Sequence, residues 1–389
     1  MRLLLNDILS SFSLALDLAE EKMFEHARRV AYISLCIADK LKLSQDYRKD
    51  VYFSALLHDV GASEAKADLS GDVDYVKRHV EIGYDIAKIM PLNSDEIPNA
   101  ILYSHENWDG TGPFEVRKDM IPLTAQIIHL ADQFDIRYNR NINYIYQADQ
   151  LVDWVVDNSE KMFSPYAVEA FKSAVKPDEF WLNYAFFNIK GILARMEPVE
   201  PVDLDINGLI DISRAFGMVI DNKSRFTLRH TQSIAELAYR MLSELDMDES
   251  KREMGVVAAY LHDLGKLAIP NSILEKNGKL TKEEFLIIKS HVYYTRVILN
   301  EIEELGDIIH WAANHHERLN GTGYPRQLTA FELDSIDRLI AVCDVFVALT
   351  EERPYREAMS YEQALSIMDE MVNNKEIDEF SVELLKKVV

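Results

Sequence analysis

Nine of the chain's eleven histidines belong to two parallel series, and this repeat constrains the fold more than any other feature of the sequence. The first series is His26, His58-Asp59, His79, His105 and Asp132; the second is His230, His262-Asp263, His291, His315-His316 and Asp344. The offset is 204 residues for the first two members and 211 or 212 for the rest. One insertion accounts for most of the change, in KLAIPNSILEKNGKLTKEEF of the second copy, which contains the turn-forming pair Asn277-Gly278. Flanking text repeats as well: SALLHDVG answers AAYLHDLG, SHENWDGTGPF answers HHERLNGTGYP, and MFSPYAVEAFKSAV resembles EFSVELLKKVV. The reading is therefore a first domain over 1–200 and a second over 201–389, the second copy beginning near residue 205 after the Pro- and acid-rich MEPVEPVDLD, a linker or capped helix start. Residues 178–200 fall outside both cores, and FWLNYAFFNIKGILARM reads as one apolar-faced connecting helix that trails the first domain and packs the halves together.

Segments such as HTQSIAELAYRMLSEL and HARRVAYISLCIADKL carry apolar residues at helical spacing, and alternating strand-like runs are scarce, so the fold class is all-α. Hydrophobic residues make up 48% of the chain, yet no uncharged apolar run reaches the about 18 residues that suggest a bilayer span. MRLLLNDILSSF meets Asp7 too early for a signal peptide, so a cytoplasmic protein with no membrane partner is expected. Cys36 and Cys343 sit in apolar helical patterns and read as small buried hydrophobes. A formal net charge of -23 argues against a nucleic-acid polymer as partner, because such binding draws on clustered Lys and Arg. It leaves room for a small anion where bound cations and a few basic residues invert the local potential.

Against this background the polar members of the repeat need an explanation. His262 and Asp263 follow the run VVAAYL, so an imidazole and a carboxylate stand at the end of an otherwise buried helix. That placement is costly unless they are hydrogen-bonded or hold a cation. Mixed nitrogen and oxygen donors of this kind suit Fe, Mn or Zn better than Ca. His230, His291, His315, His316 and Asp344 add enough donors for two ions, with Asp263 able to bridge them.

Together, HDLGK at 262–266, HHERLNGTGYP at 315–325 and DVFVALTEERPYR at 344–356 resemble the signature blocks of the HD-GYP subgroup of the HD superfamily of metal-dependent phosphohydrolases, which cleaves bacterial cyclic dinucleotides. The resemblance extends over both halves and implies two tandem HD-type helical domains, a degenerate one followed by a catalytic one. It makes His230, His262, Asp263, His291, His315, His316 and Asp344 ligands of two divalent ions, Fe or Mn first and Ni or Zn otherwise. It also makes Lys266 a phosphate contact that acts with Asp263 in catalysis. A hydroxide held between the ions would attack phosphorus in line, opening cyclic di-GMP or 3',3'-cyclic GMP-AMP to a linear dinucleotide and then to mononucleotides. Tyr324, in a loop kept tight by two glycines and a proline, is expected to face the substrate. Arg353 and Arg356 are expected to contact phosphate or a guanine edge.

The chain departs from the family pattern in several places. Phe226 stands where some members carry a glutamate for a third ion, which favours a dinuclear site. Ser224, Asn320 and Val347 replace frequent aspartates, and Val292 and Thr295 replace the common Pro and Gly after the third histidine; these bear on loop geometry and substrate preference. In the first copy Ser104 stands for His315, Ala62 for Lys266 and GPF for GYP. His26, His58, Asp59, His79, His105 and Asp132 are therefore expected to form a vestigial site for one ion with a structural or regulatory role. Two other functions compete. A broader HD phosphohydrolase of nucleoside phosphates or an alarmone would not need the GYP loop or ERPYR, and a non-catalytic module sensing a nucleotide or metal would not need the complete second ligand set. No receiver, sensor or transmembrane segment accompanies the tandem, so the sequence does not reveal the controlling input, and regulatory protein partners are one candidate.

Overall fold

A computed structural model describes residues 3–19, 25–62, 73–186, 188–196, 202–223, 229–352 and 357–389, so Ser224, Phe226, Arg353 and Arg356 lie outside the described residues. The chain divides into one compact unit formed by Leu4–Ala62 with Lys66–Val202 and another carried by Asp203–Val389. The first holds α1 (Leu5–Ala19), α2 (His26–Lys40), α3 (Gln45–Leu57), α4 (Val73–Ile89), α5 (Glu96–Leu102), α6 (Leu123–Arg137), α7 (Ala148–Asp157), α8 (Pro165–Ala174), α9 (Asp178–Tyr184) and α10 (Ile189–Met196). The second holds α11 (Ile206–Asn222), α12 (His230–Ser243), α13 (Glu249–Leu261), α14 (Asn271–Leu274), α15 (Lys282–Leu299), α16 (Asp307–Ala313), α17 (Ser335–Thr350), α18 (Tyr361–Asn373) and α19 (Glu379–Val388). Strands among the described residues are limited to Leu3–Leu4 and Asp203–Leu204, in keeping with the all-α reading. No described helix is long and apolar enough to cross a membrane.

Helix starts follow from side chains that satisfy the free amides of the first turn. Ser44 accepts from the Tyr47 amide, Ser164 from Ala167 just ahead of Pro165, and Asp205 from Gly208. The Asp205 cap starts α11 near the beginning of the second unit. Past the insertion, Thr281 and Glu284 form a reciprocal capping box that restarts the chain as α15.

In the first unit α2 packs on α3 and α6; in the second α12 packs on α13 and α17. Val51–Leu57 and Gly255–Leu261 are buried without a break, so α3 and α13 each deliver the following His-Asp pair into an interior. Burying an aliphatic or aromatic side chain contributes roughly 1.5–3 kcal/mol, and these runs fix the two helix ends firmly.

The single connecting helix expected over 178–200 is instead two, α9 and α10. Apolar spacing runs through the break, but the Asn188 side chain accepts from the Gly191 amide at 3.0 Å and starts α10 as a separate helix. The segment also does not lie outside both cores. Phe180, Trp181 and Tyr184 are buried within the first unit, with Phe180 against Tyr32 of α2 and Trp181 against Phe134 of α6. The Tyr184 hydroxyl donates to Asp135 Oδ1 at 2.5 Å.

Candidate metal centre

Five elements of the second unit bring the predicted residues together. His230 opens α12, His262 and Asp263 follow α13, His291 lies inside α15, His315 and His316 follow α16, and Asp344 lies inside α17. The approach of the His-Asp segment to α15 requires a residue without a side chain. A first side-chain carbon on Gly265 would lie 1.9 Å from the His291 carbonyl oxygen. Thr295, which replaces the family's glycine, strengthens the same junction: its hydroxyl accepts from the Gly265 amide at 2.8 Å and donates to the His262 carbonyl at 3.1 Å.

Asp263 lies at the middle of the donors. Its Oδ2 is 3.1 Å from His262 Nε2 and 3.9 Å from His230 Nε2, and Asp344 Oδ1 lies 3.5 Å from the same His230 atom. Its Oδ1 is 3.4 Å from His291 Nε2 and 3.9 Å from His315 Nε2. His316 Nδ1 stands 3.7 Å from Asp344 Oδ2. One carboxylate thus presents each oxygen to a different pair of imidazoles. Ligand atoms of His230, His262 and Asp344, of His262, Asp263 and His315, and of His291, His315 and His316 lie within 4.8 Å of one another in each group.

The rings are held ready to donate a lone pair. The Nδ1 of His262, His291 and His315 bonds the carbonyl three residues earlier, at Ala259, Ile288 and Ala312, over 2.6–2.7 Å. This fixes the tautomer with Nε2 bare and turned inward. Burial pushes His291 down to about 4 and His315 to about 3, so both are neutral near pH 7, as a ligand must be. Burial alone would lift the Asp263 carboxyl, yet the His262 ring and Lys266 ammonium beside it hold it well below the usual carboxylate range. His262 Nε2 and Asp263 Oδ1 are buried with no aligned hydrogen-bond partner, which costs about 1–3 kcal/mol per group and is relieved by a cation. A divalent ion therefore fits the residues present, and the nitrogen-oxygen donor set suits Fe, Mn, Ni or Zn.

The loop after His316 repeats the hydrogen bonding of the first copy's loop although Asn320 stands where that copy has Asp109. Asn320 Oδ1 accepts from the Thr322 amide and hydroxyl, as Asp109 Oδ1 does from Thr111 in the first copy. Gly321 takes the left-handed φ of 75°, which a larger residue resists. Glu317 accepts from the Arg326 and Leu328 amides, and Glu106 likewise from Phe114 and Val116. The Tyr324 ring sits 4.8 Å from the His316 ring. Lys266 is engaged at the cluster itself, its Nζ 2.5 Å from Asp263 Oδ2.

Several supporting carboxylates escape a reading by motif. Asp221 accepts from the Thr231 amide and hydroxyl at the head of α12, and Asp17, 204 residues earlier, accepts from Ala27 at the head of α2. Glu351 Oε2 holds His230 Nδ1 at 2.8 Å, whereas in the first copy Asp135 Oδ2 holds His26 Nδ1 at 2.7 Å. The offset of 212 that relates Asp132 to Asp344 relates Asp135 to Val347. Val347 lacks the carboxylate, and Glu351 restores it from one helical turn later. Glu351→Ala is expected to weaken ion binding in this domain about 10–100-fold, the usual cost of losing a partner behind a ligand. Val347→Asp on that background should recover much of the loss in a metal titration; no weakening in Glu351→Ala would remove Glu351 from the account.

The first unit repeats the arrangement without a counterpart of His315. His58 Nε2 is 3.0 Å and His26 Nε2 3.8 Å from Asp59 Oδ2, His79 Nε2 is 3.5 Å from Asp59 Oδ1, and His26 Nε2 is 3.2 Å from Asp132 Oδ1. His105 joins Asp59 and His79 in a second donor group. Ser104, in the place of His315, donates to the Ile101 carbonyl at 2.9 Å.

Comparison with known proteins agrees with this architecture. One HD-domain family profile matches residues 214–379 and another HD-domain profile matches residues 23–137. The 3'3'-cGAMP-specific phosphodiesterase 1 of Vibrio cholerae is 30% identical over 377 residues, covering 94% of this chain and 87% of that protein. The 3'3'-cGAMP-specific phosphodiesterase 3 of the same organism is 28% identical over 440 residues, covering 99% and 94%. A crystal structure of a cyclic GMP-AMP-specific phosphodiesterase of V. cholerae matches with a TM-score of 0.71 at 26% identity, covering 100% of this chain and 98% of that one. With two HD domains in tandem and full-length likeness to these enzymes, the chain belongs to the HD-GYP subgroup of the HD superfamily.

Proposed function

We propose that the second domain hydrolyses a phosphodiester bond of a cyclic dinucleotide, with 3',3'-cyclic GMP-AMP the first candidate and cyclic di-GMP the second. The observation that carries this reading is the buried Asp263 carboxylate, whose two oxygens face two separate sets of imidazoles. His230, His262 and Asp344 would hold one divalent ion with Oδ2, and His291, His315 and His316 another with Oδ1. Fe and Mn are the first choices. Bound ions of this kind activate water and neutralise charge on phosphoryl oxygens.

The chain's own residues position the reactants. Backbone carbonyls and Glu351 orient the rings, and burial of the donors raises the strength of every charge interaction in the site. The Lys266 ammonium, held at Asp263, is placed to turn to a phosphoryl oxygen when the carboxylate is taken up by ions. Lys266→Ala is expected to keep its ions and to lower kcat about 100-fold, the cost of one charge-stabilising donor. Ion loss equal to that of a ligand mutant, by elemental analysis, would show that Lys266 supports the cluster and not the substrate. In the first domain, His26, His58, Asp59 and Asp132 would hold one ion in a structural or regulatory role, since that half lacks counterparts of His315 and Lys266.

Protein purified without chelators should convert cyclic dinucleotide to linear dinucleotide, with metal content and products followed together by mass spectrometry. Ion-replete protein that leaves both cyclic dinucleotides intact would overturn the proposal.

A further inference from the structure

We propose that Lys289 binds the second, non-scissile phosphodiester of the cyclic dinucleotide. This inference rests on the function proposed above and adds a subsite to it. The Lys289 Nζ lies between two rings, 4.6 Å from the centroid of Tyr324 and 4.8 Å from that of Phe285 on the preceding turn of α15. Tyr324 in turn lies 4.8 Å from the His316 ring, so a fixed cation stands beside the ion centre, two residues before a ligand of the same helix.

The chain carries 65 acidic residues against 42 basic ones, and lysines such as Lys276 and Lys386 lie 2.6 and 2.8 Å from carboxylates. Among the described residues, Lys289 has no carboxylate within 4.0 Å. Ring faces attract an ammonium without neutralising it, and they displace part of its hydration, so its charge stays available to an anion. A cyclic dinucleotide carries two phosphodiesters on opposite sides of its ring. With one at the ions and Lys266, the other needs a cation set apart from Asp263, and Lys289 beside Tyr324 supplies it.

The first domain builds the same pair. Lys77, two residues before His79, lies 5.8 Å from the Phe114 ring, although the loop there reads Pro-Phe where the second copy reads Tyr-Pro. The aromatic residue has changed place by one position and still meets the lysine. The helix geometry two residues before the third histidine therefore directs a lysine at this loop in both copies.

The test compares Lys289→Ala and Lys289→Arg with the wild type on two substrates, 3',3'-cyclic GMP-AMP and bis(4-nitrophenyl) phosphate, which has a single phosphodiester. Loss of a charge-assisted contact should raise KM for the cyclic dinucleotide about tenfold in Lys289→Ala. The expected companions are little change in its kcat, unchanged ion content, unchanged KM for the nitrophenyl diester, and recovery of most of the loss by Lys289→Arg. A KM that does not move, an equal rise for both substrates, or ion loss in Lys289→Ala overturns the inference. Wild-type protein that turns over the nitrophenyl diester but no cyclic dinucleotide overturns the functional reading and this subsite with it.

Discussion

Replacing Asp263 with alanine is expected to reduce hydrolysis to the uncatalysed background and to strip ions from the second domain. The carboxylate's two oxygens approach both sets of imidazoles at 3.1 and 3.4 Å for the nearest ring of each, closer than the 3.5 and 3.7 Å at which Asp344 meets His230 and His316. Without it, the His291 and His315 rings, which burial keeps neutral, lose the anion that offsets a cation's charge. Among the described residues the neighbouring acids are already engaged: Asp344 lies 3.5 Å from His230 and 3.7 Å from His316, and Glu351 holds His230 Nδ1. Elemental analysis and turnover measured on the same folded sample check the prediction. Full activity in an ion-poor Asp263→Ala protein would contradict the assignment.

The histidine series was legible because histidine is scarce in this chain and falls at a nearly constant offset, so six candidate ligand positions per copy follow from spacing alone. The residues that hold those ligands were harder to see. Asp17, Asp221, Glu106 and Glu317 keep the repeat offset, but acidic residues are abundant here and nothing local marks them as buried caps or loop anchors. Glu351 was beyond any offset argument, since it acts one turn away from the position that Asp135 predicts. The roles of Thr295 and Asn320 depend on which amide their side chains meet, which spacing does not encode. The break between α9 and α10 was hidden for a similar reason, because the apolar pattern continues across an Asn188 cap that only the folded backbone exposes.

The second large effect separates the two copies. His262→Ala should lower turnover beyond the about 100–1,000-fold that losing one charge-stabilising donor costs, because it removes a ligand from the catalytic centre. His58→Ala should leave most turnover intact. Both rings sit at the same place after matched buried helices, each with Nδ1 on the carbonyl three residues earlier, so the pair controls for local context. The contrast arises elsewhere, from Ser104 and Ala62 against His315 and Lys266. His58→Ala is expected to lower stability by about 1–3 kcal/mol through the cavity it leaves, and to lower ion stoichiometry, both readable by thermal unfolding and elemental analysis. A folded His58→Ala protein as inactive as His262→Ala, with its second-domain ions in place, would make the first domain an essential partner in catalysis.

The most direct test of the two-ion centre is a manganese titration of chelator-stripped protein in which His58→Ala and Asp59→Ala have disabled the first domain's site. Bound ions, cyclic dinucleotide hydrolysis and electron paramagnetic resonance are followed on the same samples. Hydrolysis is predicted to rise with the second ion per chain, together with a spin-coupled manganese signal that Asp263→Ala lacks; full turnover at one ion per chain with no coupled signal would contradict a carboxylate-bridged pair.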